Sequence, residues 1–200
     1  MQPIINKYLL EEDTVEDTNI KLHNPDDDGI THINIWYLGK TELGRMLSSF
    51  YELPFKHPFF GDFKTMEGLW RYVQNKDTTS EEEARGVEKD KLRYMKGMAA
   101  KNFGRSLKWH KVDYFKEIIA AANFYKIEQS TKLMKMFTES TLPFAMYYVH
   151  STTGDAEGQE GPVVNLTNYN WLVKSFEDNR ILMQCNERPN KIDYSQFSKK

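Results

Sequence analysis

Leu47-Ser48-Ser49-Phe50-Tyr51, followed by Pro54-Phe55 and then by Phe63-Lys64-Thr65-Met66-Glu67, is the stretch on which the fold turns. A serine pair and two aromatics stand just ahead of a carboxylate that opens a helix. Thr65 has the side chain of a helix N-cap, whose oxygen accepts an amide of the first turn. That places Glu67 in the first turn of a helix running to about Asn75, with Leu69 or Trp70 and Val73 on its buried side. The helix dipole favours an acid there. By spacing alone Glu67 reads first as an ordinary first-turn acid, and second as a group able to act on a bond held beside it.

Working outward, Ile30 to Tyr37 alternates as a strand does, with Ile33, Ile35 and Tyr37 on one face and His32, Asn34 and Trp36 on the other. Gly39 and Gly44 frame a turn, and Pro54 to Gly61 is irregular. Residues 9 to 28 are acidic and turn-rich, and they read as a surface extension or hairpin loop. Asp26-Asp27-Asp28 lacks the alternating ligand spacing of an EF-hand, so a solvated loop is expected.

On the other side, Asp77 to Asp90 is polar, with Ser80-Glu81-Glu82-Glu83 reading as a capped helix start or a mobile loop. Lys91, Arg93, Lys96, Lys101, Arg105, Lys108 and Lys111 then form a basic run without an acid. Val112 to Glu128 is the clearest helix, with Phe115, Ile118, Ile119, Ala122 and Tyr125 at helical spacing. Thr131 to Ser140 is a second, whose Met and Phe residues are core. Leu142 to His150 is extended, Ser151 to Gly161 is a polar glycine-rich loop, and Tyr169 to Phe176 begins a last helix. The tail after Asn186 is polar and expected to fray.

The chain of 200 residues suits one domain. We expect an α+β, predominantly helical, single-domain fold with a few short strands. It divides into an acidic extension (1–29), a main domain (30–185) and a polar tail (186–200). A net charge of −2 argues against indiscriminate nucleic-acid binding, while 14% aromatic residues suit both a core and stacking on bases. Cys185 is the single cysteine, so no intramolecular disulfide forms. The five histidines are scattered, and no zinc, P-loop, dinucleotide or nucleophile-elbow pattern occurs. No metal or cofactor is therefore expected. Without a signal peptide or a bilayer-spanning run, the protein is expected to be soluble and cytoplasmic, with no membrane partner.

The ordered set Ile33-Asn34-Ile35-Trp36-Tyr37, Gly39-Lys40, Leu47 to Tyr51, Pro54-Phe55 and Thr65-Met66-Glu67 resembles the NADAR (NAD- and ADP-ribose-associated) family. That family carries an I-x-F-Y strand, an L-S-N-F-Y loop and a Y-x-[ST]-x-E-H helix start. Met98 to Arg105 is similar to its A-[KR]-x-[LM]-G-R element, and Tyr125 to Gln129 to its K-F-x-Q. The resemblance covers about residues 30 to 180. Ser49 stands where the family has Asn, and Gly68 where it has His. Trp109 or Tyr114 stands for a tryptophan beyond the G-R element.

The resemblance implies hydrolysis of an N-glycosidic bond of a ribose-phosphate compound. Its first form is removal of ADP-ribose from a DNA base, reversing a toxin's modification as phage counter-defence. The alternatives are an N-glycosidase acting on phosphoribosylated riboflavin-pathway intermediates and a non-catalytic binder of ADP-ribose or ADP-ribosylated DNA. It implies Glu67 as the catalytic carboxylate. Lys40, with Lys56 second, is a lysine able to capture an opened ribose. Ser48 and Ser49 would donate to ribose or phosphate oxygens, Arg105 would pair with a diphosphate, and Tyr37, Phe50, Trp70 and Trp109 would stack on or wall the substrate. Phe50 and Trp70 read equally as core. The basic run reads either as a solvated helix face or as a track for DNA whose modified base is single-stranded or everted.

Overall fold

In a computed structural model the chain is described over residues 23–75, 89–149 and 163–197. The Asp77 to Asp90 segment up to residue 88, the Ser151 to Gly161 loop and most of the acidic extension lie outside these residues.

Thr65 caps its helix as expected. Its Oγ1 accepts the amide of Gly68 at 3.1 Å, and helix α2 runs Met66–Gln74. Leu69 and Val73 are fully buried beneath it. Burial of such side chains is worth about 1.5–3 kcal/mol each, against about 0–1 kcal/mol for an exposed ion pair, so packing fixes this helix.

Further α-helices among the described residues are α1 (Glu42–Leu47), α3 (Gly97–Ser106), α4 (Phe115–Glu128), α5 (Thr131–Glu139) and α6 (Asn170–Gln184). Helix α4 is the centre of the core. Ile118, Ile119, Ala122 and Ile127 are inaccessible, and α2, α5, α6 and the strand Phe55–His57 pack around it. A helix covered on several sides is apolar around much of its circumference. Helix α6 extends well beyond the expected Phe176, because Asn179 and Met183 also face inward.

The described strands are short and pair in three two-stranded sheets. β1 (Ile33–Asn34) runs parallel to β4 (Phe144–Ala145), in register Ile33 with Phe144. β2 (Phe55–His57) and β3 (Gly61–Phe63) form an antiparallel hairpin, and β5 (Tyr147–Val149) pairs antiparallel with β6 (Val163–Asn165). The architecture is thus the expected α+β domain, mainly helical with small sheets.

Several local expectations give way. The Ile30 to Tyr37 strand shrinks to two residues, because Asp28 replaces the ladder: its carboxylate accepts the amides of Asn34 at 2.9 Å and Lys40 at 2.7 Å. Asp28 is accordingly buried rather than solvated. Gly44 lies inside helix α1, where the sequence suggested a turn, and a Cβ on it would stand 2.1 Å from the Asn34 carbonyl oxygen. The Pro54 to Gly61 run holds the hairpin, closed by His57 Nδ1, which accepts the amides of Phe59 and Phe60. As far as residue 197 the tail is packed rather than frayed: Ile192, Tyr194 and Phe197 pack against the core, and Gln196 bonds the Asp113 backbone through both its amide atoms. Among the described residues no helix is long and apolar enough to cross a membrane.

Candidate active site

Glu67 is 5% exposed, and each of its carboxylate oxygens has a donor. Ser49 Oγ donates to Oε2 at 3.1 Å, and Arg71 Nε, one turn along α2, donates to Oε1 at 2.9 Å. The Glu67 amide donates to the Ser49 carbonyl at 2.9 Å, so the serine loop and the helix start are tied by both main chain and side chain. A buried ion pair is weak grounds for stability, since desolvation offsets its attraction.

Helix α3 supplies the facing wall and comes unusually close. A Cβ on Gly97 would lie 2.4 Å from the Phe50 Cα, and one on Gly104 would lie 2.5 Å from the Arg71 side chain. This approach brings Lys101 over the Phe50 ring, with Nζ 5.2 Å from its centroid. Burial draws the Lys101 ammonium below its ordinary range; the charge of Glu67 opposes that shift, and those of Arg105 and Arg71 add to it. Burial pushes the Tyr169 phenol upward, Glu67 adds to the shift, and Arg71 and Arg105 oppose it. The carboxylate therefore shares its surroundings with the cations Arg71, Lys101 and Arg105 and the phenol of Tyr169.

Trp70 follows Glu67 by three residues and meets Phe115, Tyr169 and Trp171 at ring-centroid distances of 5.1, 6.0 and 5.8 Å. All four rings are half-buried. Phe50, also half-buried, meets Tyr37 edge-on at 5.6 Å. One carboxylate aimed as an acceptor, an excess of cations and partly open aromatic faces suit an anionic ligand carrying a planar ring. Among the described residues no cluster of three or more His, Cys, Asp or Glu could hold a metal ion.

No protein-family model and no curated protein matches the sequence. The structure does find a neighbour, the E. coli protein YbiA, solved by NMR. The two superpose with a TM-score of 0.54 at 15% identity, over 86% of this chain and 99% of that one. The chain has a YbiA-like fold.

Within that YbiA-like frame, the sequence-derived residues divide. Ser49, Glu67 and Arg71 meet directly, Ser48 lies buried beside them with its Oγ accepting the Phe50 amide, and Phe50 and Trp70 flank the group. Arg105 is exposed, yet its charge registers at Lys101 and Tyr169. Lys40 is held elsewhere, its ammonium bonded to Asp26 at 2.8 Å. Lys56 is exposed on β2, its backbone bonded to Gln129. Trp109 is 62% exposed and Tyr37 is 39% exposed. Sequence reasoning passed over Arg71 and Tyr169 and placed Lys101 in the basic run rather than beside Glu67. Arg71 was readable as the i+4 partner of Glu67, whereas Lys101 reaches the site only through the close approach of α3. Nothing local marks Tyr169, which arrives by packing against Trp70.

Proposed function

We propose that this protein is a hydrolase that removes ADP-ribose from modified bases in DNA, reversing a toxin's ADP-ribosylation as in phage counter-defence. The observation that carries the reading is the buried Glu67 carboxylate, oriented by Ser49 and Arg71 and surrounded by Lys101 and Arg105. Cleavage of an N-glycosidic bond passes through an oxocarbenium-like state, which a fixed carboxylate stabilises while steering water to the anomeric carbon. The cations suit a diphosphate, with guanidinium groups able to grip it bidentately. The Trp70 and Phe50 faces suit flat rings.

DNA is favoured over a small metabolite by the surface next to the site. Lys91, Lys96, Arg105, Lys108 and Lys111 are all exposed, and Tyr94 and Trp109 stand out among them at 74% and 62% exposure. Cations interleaved with open aromatic faces suit a single-stranded or everted segment. The test is incubation of ADP-ribosylated oligonucleotides, single- and double-stranded, with wild type and Glu67→Gln. Wild type should release ADP-ribose, and Glu67→Gln should lose about a hundredfold or more in rate while still binding. Binding should weaken as salt rises. Absence of release by wild type would overturn the enzyme reading; release unaffected by Glu67→Gln would overturn the mechanism.

A further inference from the structure

Lys126 lies in the middle of the core. It is 1% exposed on the central helix α4, and no carboxylate among the described residues pairs with it. Its Nζ donates to the Ser48 carbonyl at 3.0 Å and reaches the Leu47 carbonyl at 3.5 Å. The Leu47 carbonyl ends helix α1 without a partner in the helix, and the Ser48 carbonyl, at its C-cap, also accepts the Tyr51 amide at 3.2 Å.

Such ends are commonly closed by a left-handed residue whose following amides fold back. Here Ser48 has φ −52° and ψ 143°, so the chain leaves the helix extended and makes no such closure. The exit of α1 is held by the Tyr51 amide and, from another helix, by the Lys126 ammonium. The next residue is Ser49, whose carbonyl receives the Glu67 amide and whose hydroxyl binds the Glu67 carboxylate.

We infer that Lys126 is a positioning residue, a buried peg from α4 that fixes the end of α1 and through it the Ser49–Glu67 pair. For packing alone, a methionine would fill the same space without desolvating an amine. Burial pulls the Lys126 ammonium down to about 7, a cost that an ordinary core position has no reason to bear. The charge, where present, also lies at the negative end of α1. The catalytic half of this inference rests on the reading of Glu67 as the reacting carboxylate; the structural half does not.

Two readouts test it. Amide hydrogen exchange compares wild type, Lys126→Met, Lys126→Gln and the control Ile127→Val, which thins the same turn without touching the carbonyls. In Lys126→Met, protection of the Glu67 amide should fall about tenfold, the loss expected for one hydrogen bond. Ala122, at the centre of α4, should keep its protection. Lys126→Gln, which retains an N–H donor, should recover part of the loss. With ADP-ribosylated oligonucleotide, Lys126→Met should lower kcat about tenfold and leave KM within about threefold. Adding Ser49→Ala should then cost little more, because both changes act through one contact.

A Glu67 amide as protected in Lys126→Met as in wild type, or equally deprotected in Ile127→Val, would overturn the inference. Should Lys126→Met not fold, Lys126→Gln is compared with Ile127→Val on the same amide, and equal effects would overturn it. If wild type releases no ADP-ribose, the proposed activity falls, while the exchange result still decides the role of the peg.

Discussion

At the scale of single residues, Glu67 and Arg71 raise the question of whether an ion pair serves folding or chemistry. Their side chains are 7% and 21% exposed, so removing one partner strands a buried charge. Arg71→Met should therefore destabilise the protein by about 3 kcal/mol. Combining it with Glu67→Gln removes both charges, and thermal unfolding should show part of the stability restored. Activity on an ADP-ribosylated oligonucleotide should not return. A double variant that recovered activity with its stability would make the pair purely structural. This half of the site was legible in the sequence because Thr65, Glu67 and Arg71 interact within a helical turn or so. Lys101 and Tyr169 were not, because their place depends on how α3 and α6 pack.

At the scale of elements, close approach decides which residues the site can hold. Gly68 occupies the position where the resembled family carries histidine. A Cβ there would meet the Leu92 carbonyl oxygen at 2.4 Å, since the 3-10 turn Lys91–Tyr94 lies against α2. Replacing a helical glycine by alanine ordinarily stabilises by about 1 kcal/mol. Overpacking against a backbone oxygen costs about 1–3 kcal/mol, so the sign should reverse. Gly68→Ala should lower the urea midpoint without changing the slope, and a raised midpoint would show that the turn yields freely. The same scale explains the misread elements. Helix α1 is too short for a periodic pattern, and the β2–β3 hairpin hides in a proline-rich run because a histidine side chain, rather than an Asn-Gly turn, closes it. Helix α4 was readable because its apolar spacing repeats over several turns.

At the scale of the whole molecule, His57 joins parts of the chain that sequence cannot connect. It is inaccessible, its Nδ1 accepts two hairpin amides, its ring meets Tyr125 of α4 at 5.4 Å, and its Nε2 lies 3.4 Å from the hydroxyl of Tyr194 in the tail. The tail thus helps to bury the residue that closes the hairpin, which a polar C-terminus does not announce. With Nδ1 occupied as an acceptor, the neutral ring carries its proton on Nε2, and a second proton would have to displace both amides. Burial lowers the His57 pKa to about 4. The unfolded chain has an ordinary histidine, so between pH 6.5 and 4 it binds a proton that the folded chain refuses. Stability from this group is complete above pH 6.5 and is lost as pH falls through that window, by about 3 kcal/mol. His57→Asn keeps an acceptor for the hairpin amides but cannot titrate there. Urea unfolding from pH 8 to pH 4 should show wild type losing about 3 kcal/mol more than His57→Asn over this range. Parallel curves would mean that His57 takes up its proton without breaking the hairpin, and that the tail does not govern it.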